Sequence, residues 1–219
     1  MKTFLKNFIK KHPFIIRLYN RLPFNNRIGG KRGNQLNVQG IMKHCRIQFC
    51  GRGNTLEIRK GVRLQNCSFR LSGNNNHIVL DEGVFGKNID LCTEDNGNRI
   101  FAGKNTNFSG HIHLAATEGS AITIGKDCLF SSDIVFRTGD SHAITDLNGN
   151  RINPAKDIVL EDHVWVGHRV LIGKGVHIGN DCVVGTGSVV TKAFTETNCV
   201  IAGVPAKVVK TNINWNAQR

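Results

Sequence analysis

The chain has 219 residues, 40% of them hydrophobic, which suits one domain with a real core. No stretch approaches the roughly 18–20 consecutive apolar residues of a membrane span. The seven cysteines show no C-x-x-C spacing, and a reducing cytoplasm is their simplest setting.

The net charge of +13 sits at one end. Residues 1–56 carry twelve Lys/Arg and no Asp or Glu; the first acid is Glu57. The remaining 163 residues hold 17 basic and 16 acidic side chains, a net of +1. Such a cluster favours an anionic partner: a membrane surface, a phosphorylated lipid carrier, an acidic glycan or nucleic acid. The bland alternative is a solvated basic arm. Phe4, Leu5, Phe8 and Ile9 recur at helical spacing with Lys2, Lys6, Lys10 and Lys11 between them. This predicts an amphipathic segment ending before Pro13, too interrupted by lysine for a signal-peptide core. It would lie on a bilayer or cap the domain that follows. Residues 1–30 therefore read as a basic amphipathic segment, with peripheral membrane contact expected through residues 1–32. Only the Phe positions interleave the basic residues, so base stacking has little support and no nucleic-acid partner is expected.

Further along, Asn34, Asn54, Asn74, Asn98 and Ser120 each precede a strand-like run, at intervals of 20, 20, 24 and 22 residues. The strand pieces are short: Thr55–Ile58, His77–Leu80 and Ala121–Ile124. From Leu160 the period tightens. Leu160, Val166, Ile172, Ile178, Val184 and Val190 return every six positions, with Gly167, Gly173, Gly179 and Gly185 following four of them. Neither a helix (period about 3.6) nor an amphipathic strand (period 2) repeats this way. A six-residue aliphatic period fits an all-β, parallel β-helix of hexapeptide repeats, three per triangular coil. Cys128 and Cys182 fall at the position that holds Val164, Val170, Val176 and Ser188 elsewhere, so they read as small packing residues. Residues 31–210 form one solenoid on this reading, followed by a tail at 211–219.

One tract breaks the ladder. Residues 138–157 lack the aliphatic repeat and contain the turn signal Asn148-Gly149-Asn150. The tract is predicted to leave the prism as a polar loop on a rigid scaffold, where function often sits.

Three stretches together resemble the left-handed β-helix (hexapeptide-repeat) acyltransferases: Ile158-Val-Leu-Glu-Asp-His-Val-Trp165-Val-Gly, the hexapeptides after it, and Gly187-Ser-Val-Val-Thr-Lys192 with Ala202-Gly-Val-Pro-Ala206-Lys207. The loop His142-Ala-Ile … Arg151-Ile-Asn-Pro-Ala-Lys-Asp-Ile looks closest to bacterial capsule, polysialic acid and lipopolysaccharide O-acetyltransferases. The resemblance is strong over roughly 120–210, architectural over 31–119 and absent over 1–30. It implies a left-handed coil, against the usual right-handed crossover. It also implies a homotrimer, with acetyl-CoA as donor lying in a groove between neighbouring prisms and no metal required.

The resemblance places the catalytic histidine at His142. The chemistry asks for such a group, because a sugar hydroxyl is a poor nucleophile until a base takes its proton. Trp165, His111 and Asp140 are implied in the substrate groove. His111 stands where sugar acetyltransferases carry an Asn, within His111-Ile-His113. The implied coenzyme-A positions are His168, Gly185, Thr186, Thr191, Lys192, Gly203, Lys207 and Lys210. The lysines would supply point charges for the phosphates, where family members often have Arg.

The expected function is an acetyl-CoA-dependent O-acetyltransferase acting on a carbohydrate acceptor, a surface polysaccharide or its precursor, in the cytoplasm or at the inner face of its membrane. The alternative of the same fold is an N-acyltransferase of a nucleotide-linked amino sugar. A γ-carbonic-anhydrase-like zinc enzyme and a non-catalytic trimeric scaffold are the remaining readings; nine histidines bring the former into view.

Overall fold

The computed structural model describes residues 13–20, 22 and 25–218. The architecture is the parallel β-solenoid that the repeat predicts. Each coil lays one strand on each of three sheets, of eight, seven and nine strands. The first face runs from Arg27–Gly29 to Val189–Val190, the second from Gln35–Val38 to His177–Ile178, and the third from Ile41–Lys43 to Ala206–Lys210. All pairings are parallel except the last, where Ala206–Lys210 turns back antiparallel on Val200–Gly203.

The hexapeptide aliphatics build the interior. Leu160, Val166, Ile172, Ile178, Val184 and Val190 are each at most 1% exposed. Leu160 pairs with Ile178, Val166 with Val184 and Ile172 with Val190, so like stacks on like at the inter-strand spacing of about 4.8 Å. Each fully buried member contributes roughly 1.5–3 kcal/mol. Cys128 and Cys182 sit inside as free packing thiols, and burial pushes the Cys128 thiol up to about 12.

The N-terminal coils are longer, because their strands on the first face are longer and the corner behind them is wider. Buried asparagines close that corner. The Asn76 N–H donates to Asn54 Oδ1 at 2.9 Å, and the Asn98 N–H to Asn76 Oδ1 at 2.8 Å. Asn74, expected in this ladder, is exposed; Asn76 takes the position, and the true intervals from Asn34 are 20, 22, 22 and 22. The difference arises because three asparagines stand in a row, and only the last points into the corner. Ser120 closes the next corner through Thr138, its Oγ donating to Thr138 Oγ1 at 2.7 Å.

Two boundaries differ from the sequence reading. Arg27–Gly29 already pairs in register with Arg46–Gln48, so the solenoid begins four residues before 31. A helix, α1 (Pro13–Asn20), begins at the proline expected to follow a helical segment, because proline at a first helical position forfeits no hydrogen bond. The lysine-interleaved segment before it lies outside the described residues. Ile16 of α1 is buried, and Asn20 pins it to the first coil: its Nδ2 donates to Gly40 O at 2.8 Å, and its Oδ1 accepts from Met42 N at 2.9 Å. Among the described residues no helix is long and apolar enough to cross a membrane.

Residues 138–157 leave between the first and second faces, as the break in the ladder predicts. The loop is a hairpin bridged at Thr145 and Arg151, with Asp146 Oδ1 accepting from the N–H groups of Asn148 and Asn150 across the turn. It rejoins where Lys156 N donates to Thr138 O and Ala121 N to Asp157 Oδ1.

Candidate active site

The loop returns across the edge of the first face and leaves a groove of about 820 Å³ lined by Arg137, Asp140, His142, Lys156, Lys174 and Thr191, with Leu171 as an apolar floor. His142 is exposed in this groove, and its backbone is fixed from two sides. Its N–H donates to Asp140 O at 2.8 Å, and its carbonyl accepts from Asn153 Nδ2 at 2.8 Å. Between them Ser141 adopts a left-handed φ of 64°, and its hydroxyl accepts from Arg137 Nη2 at 2.9 Å.

Asn153 is the buried centre of the loop, 6% exposed. Its Nδ2 donates to Asp140 Oδ2 at 2.9 Å as well as to His142, and its Oδ1 accepts from Ile144 N at 2.7 Å. Lys174, on the coil that follows, closes the cluster by donating to Asp140 Oδ2 and, at 3.1 Å, to Asn153 O. Lys174, and next the Asn153 amide, hold the Asp140 carboxyl below its usual range. Glu118, on the preceding coil, braces the other side. It accepts from Arg151 Nη2 at 2.6 Å and from Ala155 N at 3.1 Å, and Arg151 first, then that N–H, lowers its carboxyl. The loop carrying His142 is thus bolted to the coil before it and the coil after it.

The expected site residues divide between the two edges of the first face and the third face. His142, Asp140, Thr191 and Lys192 share the edge just described. Lys192 lies beside the groove-lining Thr191, with its Nζ 5.4 Å from the centre of the Phe194 ring. His111 and His168 lie on the opposite edge with Asp133 between them, at 3.7 and 3.6 Å. Thr186 follows on the same edge, where Gly187 N donates to His168 O at 2.8 Å. Trp165, 39% exposed, lies on the third face between Leu129 and Val183. Lys207 and Lys210 are on the final antiparallel strand. Trp165 therefore does not line the His142 groove of its own chain.

The two glycines have different grounds. A Cβ at Gly185 would meet Ala202 Cβ at 2.9 Å, so the close approach that needs glycine there is that of the next coil. Gly203 has φ 108°, a conformation reserved for glycine, ahead of Val204-Pro205. His111 and His113 each face their own carboxylate, Asp133 and Asp90, and no three His, Cys, Asp or Glu among the described residues form a metal-binding group.

Sequence reasoning missed Asn153, Lys174 and Trp215. The Trp215 ring stacks on His163 at 4.1 Å and 8°, its Nε1 donates to His163 O at 2.9 Å, and it lies 5.9 Å from the Trp165 ring. The one available signal was that these are the chain's two tryptophans.

Comparison with known proteins agrees with the solenoid fold. The bacterial transferase hexapeptide family (six repeats) matches residues 157–192. The crystal structure of the polySia-specific acetyltransferase NeuO superposes with a TM-score of 0.79 at 32% identity, covering 89% of this chain and 88% of that one. The polysialic acid O-acetyltransferase OatWY superposes with a TM-score of 0.75 at 33% identity, covering 89% and 92%. The chain belongs to the hexapeptide-repeat acetyltransferase family.

Within the family, the polysialic acid O-acetyltransferase of Neisseria meningitidis is 35% identical over 113 residues, 51% of this chain and 52% of that protein. The enzyme of that name from Escherichia coli O1:K1 / APEC is 39% identical over 89 residues, 40% of this chain and 29% of that protein. The chain thus spans about half or less of the length of these curated relatives.

Proposed function

We propose that this chain is an acetyl-CoA-dependent O-acetyltransferase that modifies a sugar hydroxyl of a bacterial surface polysaccharide or its precursor. The observation that carries this reading is His142. It stands exposed in an open groove, on a loop fastened to the coils on both sides, in a family whose members are acetyltransferases. A rigid backbone with a free imidazole is what general-base work requires.

His142 accepts the hydroxyl proton as the acceptor oxygen attacks the thioester carbonyl. The tetrahedral adduct collapses with cleavage of the C–S bond. The imidazolium returns its proton to the departing thiolate, leaving an ester and free coenzyme A. Transfer is direct, with no acyl-enzyme. Arg137 and Lys156 leave the groove net positive once Lys174 has neutralised Asp140, which suits an anionic substrate.

The separation of His142, Thr191 and Lys192 from His168 and Thr186 on the opposite edge, and from Trp165 on the third face, supports a homotrimer. His142, Thr191 and Lys192 of one protomer would face Trp165, His168 and Thr186 of its neighbour. Lys192, Lys207 and Lys210 would meet the phosphates of the donor.

Labelled acetyl-CoA offered with unmodified surface glycans and amino sugars tests the reading, with His142→Ala as control. Label that transfers, is lost in the variant by roughly 10²–10⁴-fold, and is released by mild alkali is the expected result. Alkali-resistant label would be an amide and would move the function to amino-sugar N-acylation. Equal transfer by the variant would remove His142 from the mechanism.

A further inference from the structure

The end of the solenoid remote from the groove carries a surface that the chemistry does not use. Helix α1 is fastened there by Ile16 and Asn20, and this leaves Phe14 78% and Leu18 59% exposed. One turn apart, they share the outward face of the helix. Ile28, on the first strand of the first face, adds a third exposed apolar side chain at 44%. Phe and Leu anchored this way by the opposite helix face cannot turn inward without pulling Asn20 from its two backbone partners.

Around these residues the charge has one sign. Arg27, Lys31, Arg32 and Lys43 of the first coil are exposed, and Arg46 follows at the start of the next. The first acid in the chain, Glu57, lies a coil further on and is engaged with Arg59 at 3.6 Å. Single-sign charge around exposed Phe and Leu is poorly suited to a second copy of this end, because the two faces would repel. Nucleic acid offers the cations a partner but gives Leu18 and Ile28 no apolar phase. An anionic bilayer surface satisfies both: phosphates for the cations, and the headgroup–acyl boundary for the apolar trio.

We infer that α1 and the first coil form a membrane-docking face, with Phe14 and Leu18 entering the lipid interface and Arg27, Lys31, Lys43 and Arg46 meeting anionic headgroups. The His142 groove, several coils away, stays open to solvent in that pose. The inference does not depend on the proposed reaction.

Co-sedimentation of the full chain with phosphatidylcholine vesicles, with and without phosphatidylglycerol, tests it. Binding is expected only to the phosphatidylglycerol vesicles and should weaken as salt rises. Phe14→Ser with Leu18→Ser should lower it by roughly tenfold or more, from the apolar area withdrawn. Lys43→Glu with Arg46→Glu should lower it by a similar factor. Both double variants change exposed side chains, and their circular dichroism and thermal melting should match the parent.

Four results would each overturn the inference. The first is equal binding to both vesicle types. The second is full binding by the Phe14/Leu18 variant, which would leave the docking to charge alone. The third is no vesicle binding alongside tight binding of a soluble acidic polysaccharide or nucleic acid. The fourth is a lipid-free particle whose mass falls when Phe14 and Leu18 are replaced, which would assign the face to a second copy.

Discussion

The side-chain amide of Asn153 donates a 2.8 Å hydrogen bond to the main-chain carbonyl of His142, from eleven residues further along the chain. The same amide nitrogen holds Asp140, and Lys174 holds both Asp140 and the Asn153 carbonyl. The backbone that carries the imidazole takes its position from this cluster as well as from the local turn through Ser141.

Asn153→Ala should lower kcat by roughly 10–100-fold, because sub-ångström placement of a base is worth that much. Asn153→Asp keeps the shape but sets a carboxylate against Asp140 Oδ2 and the His142 carbonyl, and should cost at least as much. Lys174→Met should act in the same direction by releasing Asp140. Steady-state kinetics check this: a loss in kcat with little change in the KM for acetyl-CoA marks a positioning effect. A variant with normal kcat would show that the loop does not need its clip.

The buried corner ladder separates two asparagines of one short tract. Asn76 is fully buried; besides its ladder bonds, its Nδ2 donates to Ser72 O at 2.8 Å and to Asp95 O at 2.9 Å. Asn76→Ala strands those carbonyls and the Asn98 N–H, at a cost of roughly 1–3 kcal/mol for each group left unpaired in the interior. Asn74→Ala removes an exposed side chain whose Oδ1 accepts from Arg52 N at 2.9 Å, and should cost about 0.5–1 kcal/mol. Denaturant melts of the two variants measure the difference.

Most of the fold was legible because it is periodic. The ladder from Leu160 to Val190 could be read directly, since each member faces the interior at a fixed interval. The longer coils were read with the wrong asparagine: Gly73-Asn74-Asn75-Asn76 offers three candidates, and composition does not say which one the corner turns inward. That His142 stands on a loop outside the prism was legible through the break in the ladder. Asn153 and Lys174 were not, because their roles exist only once a loop and the coil after it lie side by side. The same limit hid Trp215, in a tail that carries no repeat.

Loop integrity should depend on pH only in strong acid. Asp140 and Glu118 both have carboxyls lowered by their cationic partners, from ordinary values of 3.8 and 4.5. A carboxyl lowered in the folded state contributes stability that is fully present above its ordinary value and is lost as pH falls through the lowered one. From neutrality down to those ordinary values the clip should hold, and it should open only below them. Amide hydrogen exchange at Ile144 and Ala155 follows it. Protection lost near pH 6 would mean that some other group fastens the loop.

The aromatic pair on the third face offers a spectroscopic handle on the expected donor groove. Trp165 and Trp215 are the chain's two tryptophans, with ring centres 5.9 Å apart, so selectively excited tryptophan fluorescence reports that spot. Trp215 is held by the His163 ring, itself fixed by Asp181 Oδ1 at 2.8 Å, and by the tail anchored at Asn198. Trp215→Ala should uncover one side of Trp165, shifting the remaining emission to the red. It should also weaken any substrate that Trp165 contacts by about threefold to tenfold, given the roughly 0.5–1.5 kcal/mol of an aromatic pair. Trp215→Phe keeps the stack and should restore most of that binding. If acetyl-CoA quenches the Trp215→Ala protein and the parent with the same midpoint, Trp215 has no part in holding Trp165. If it quenches neither, the donor does not reach Trp165, and the third face is a structural surface.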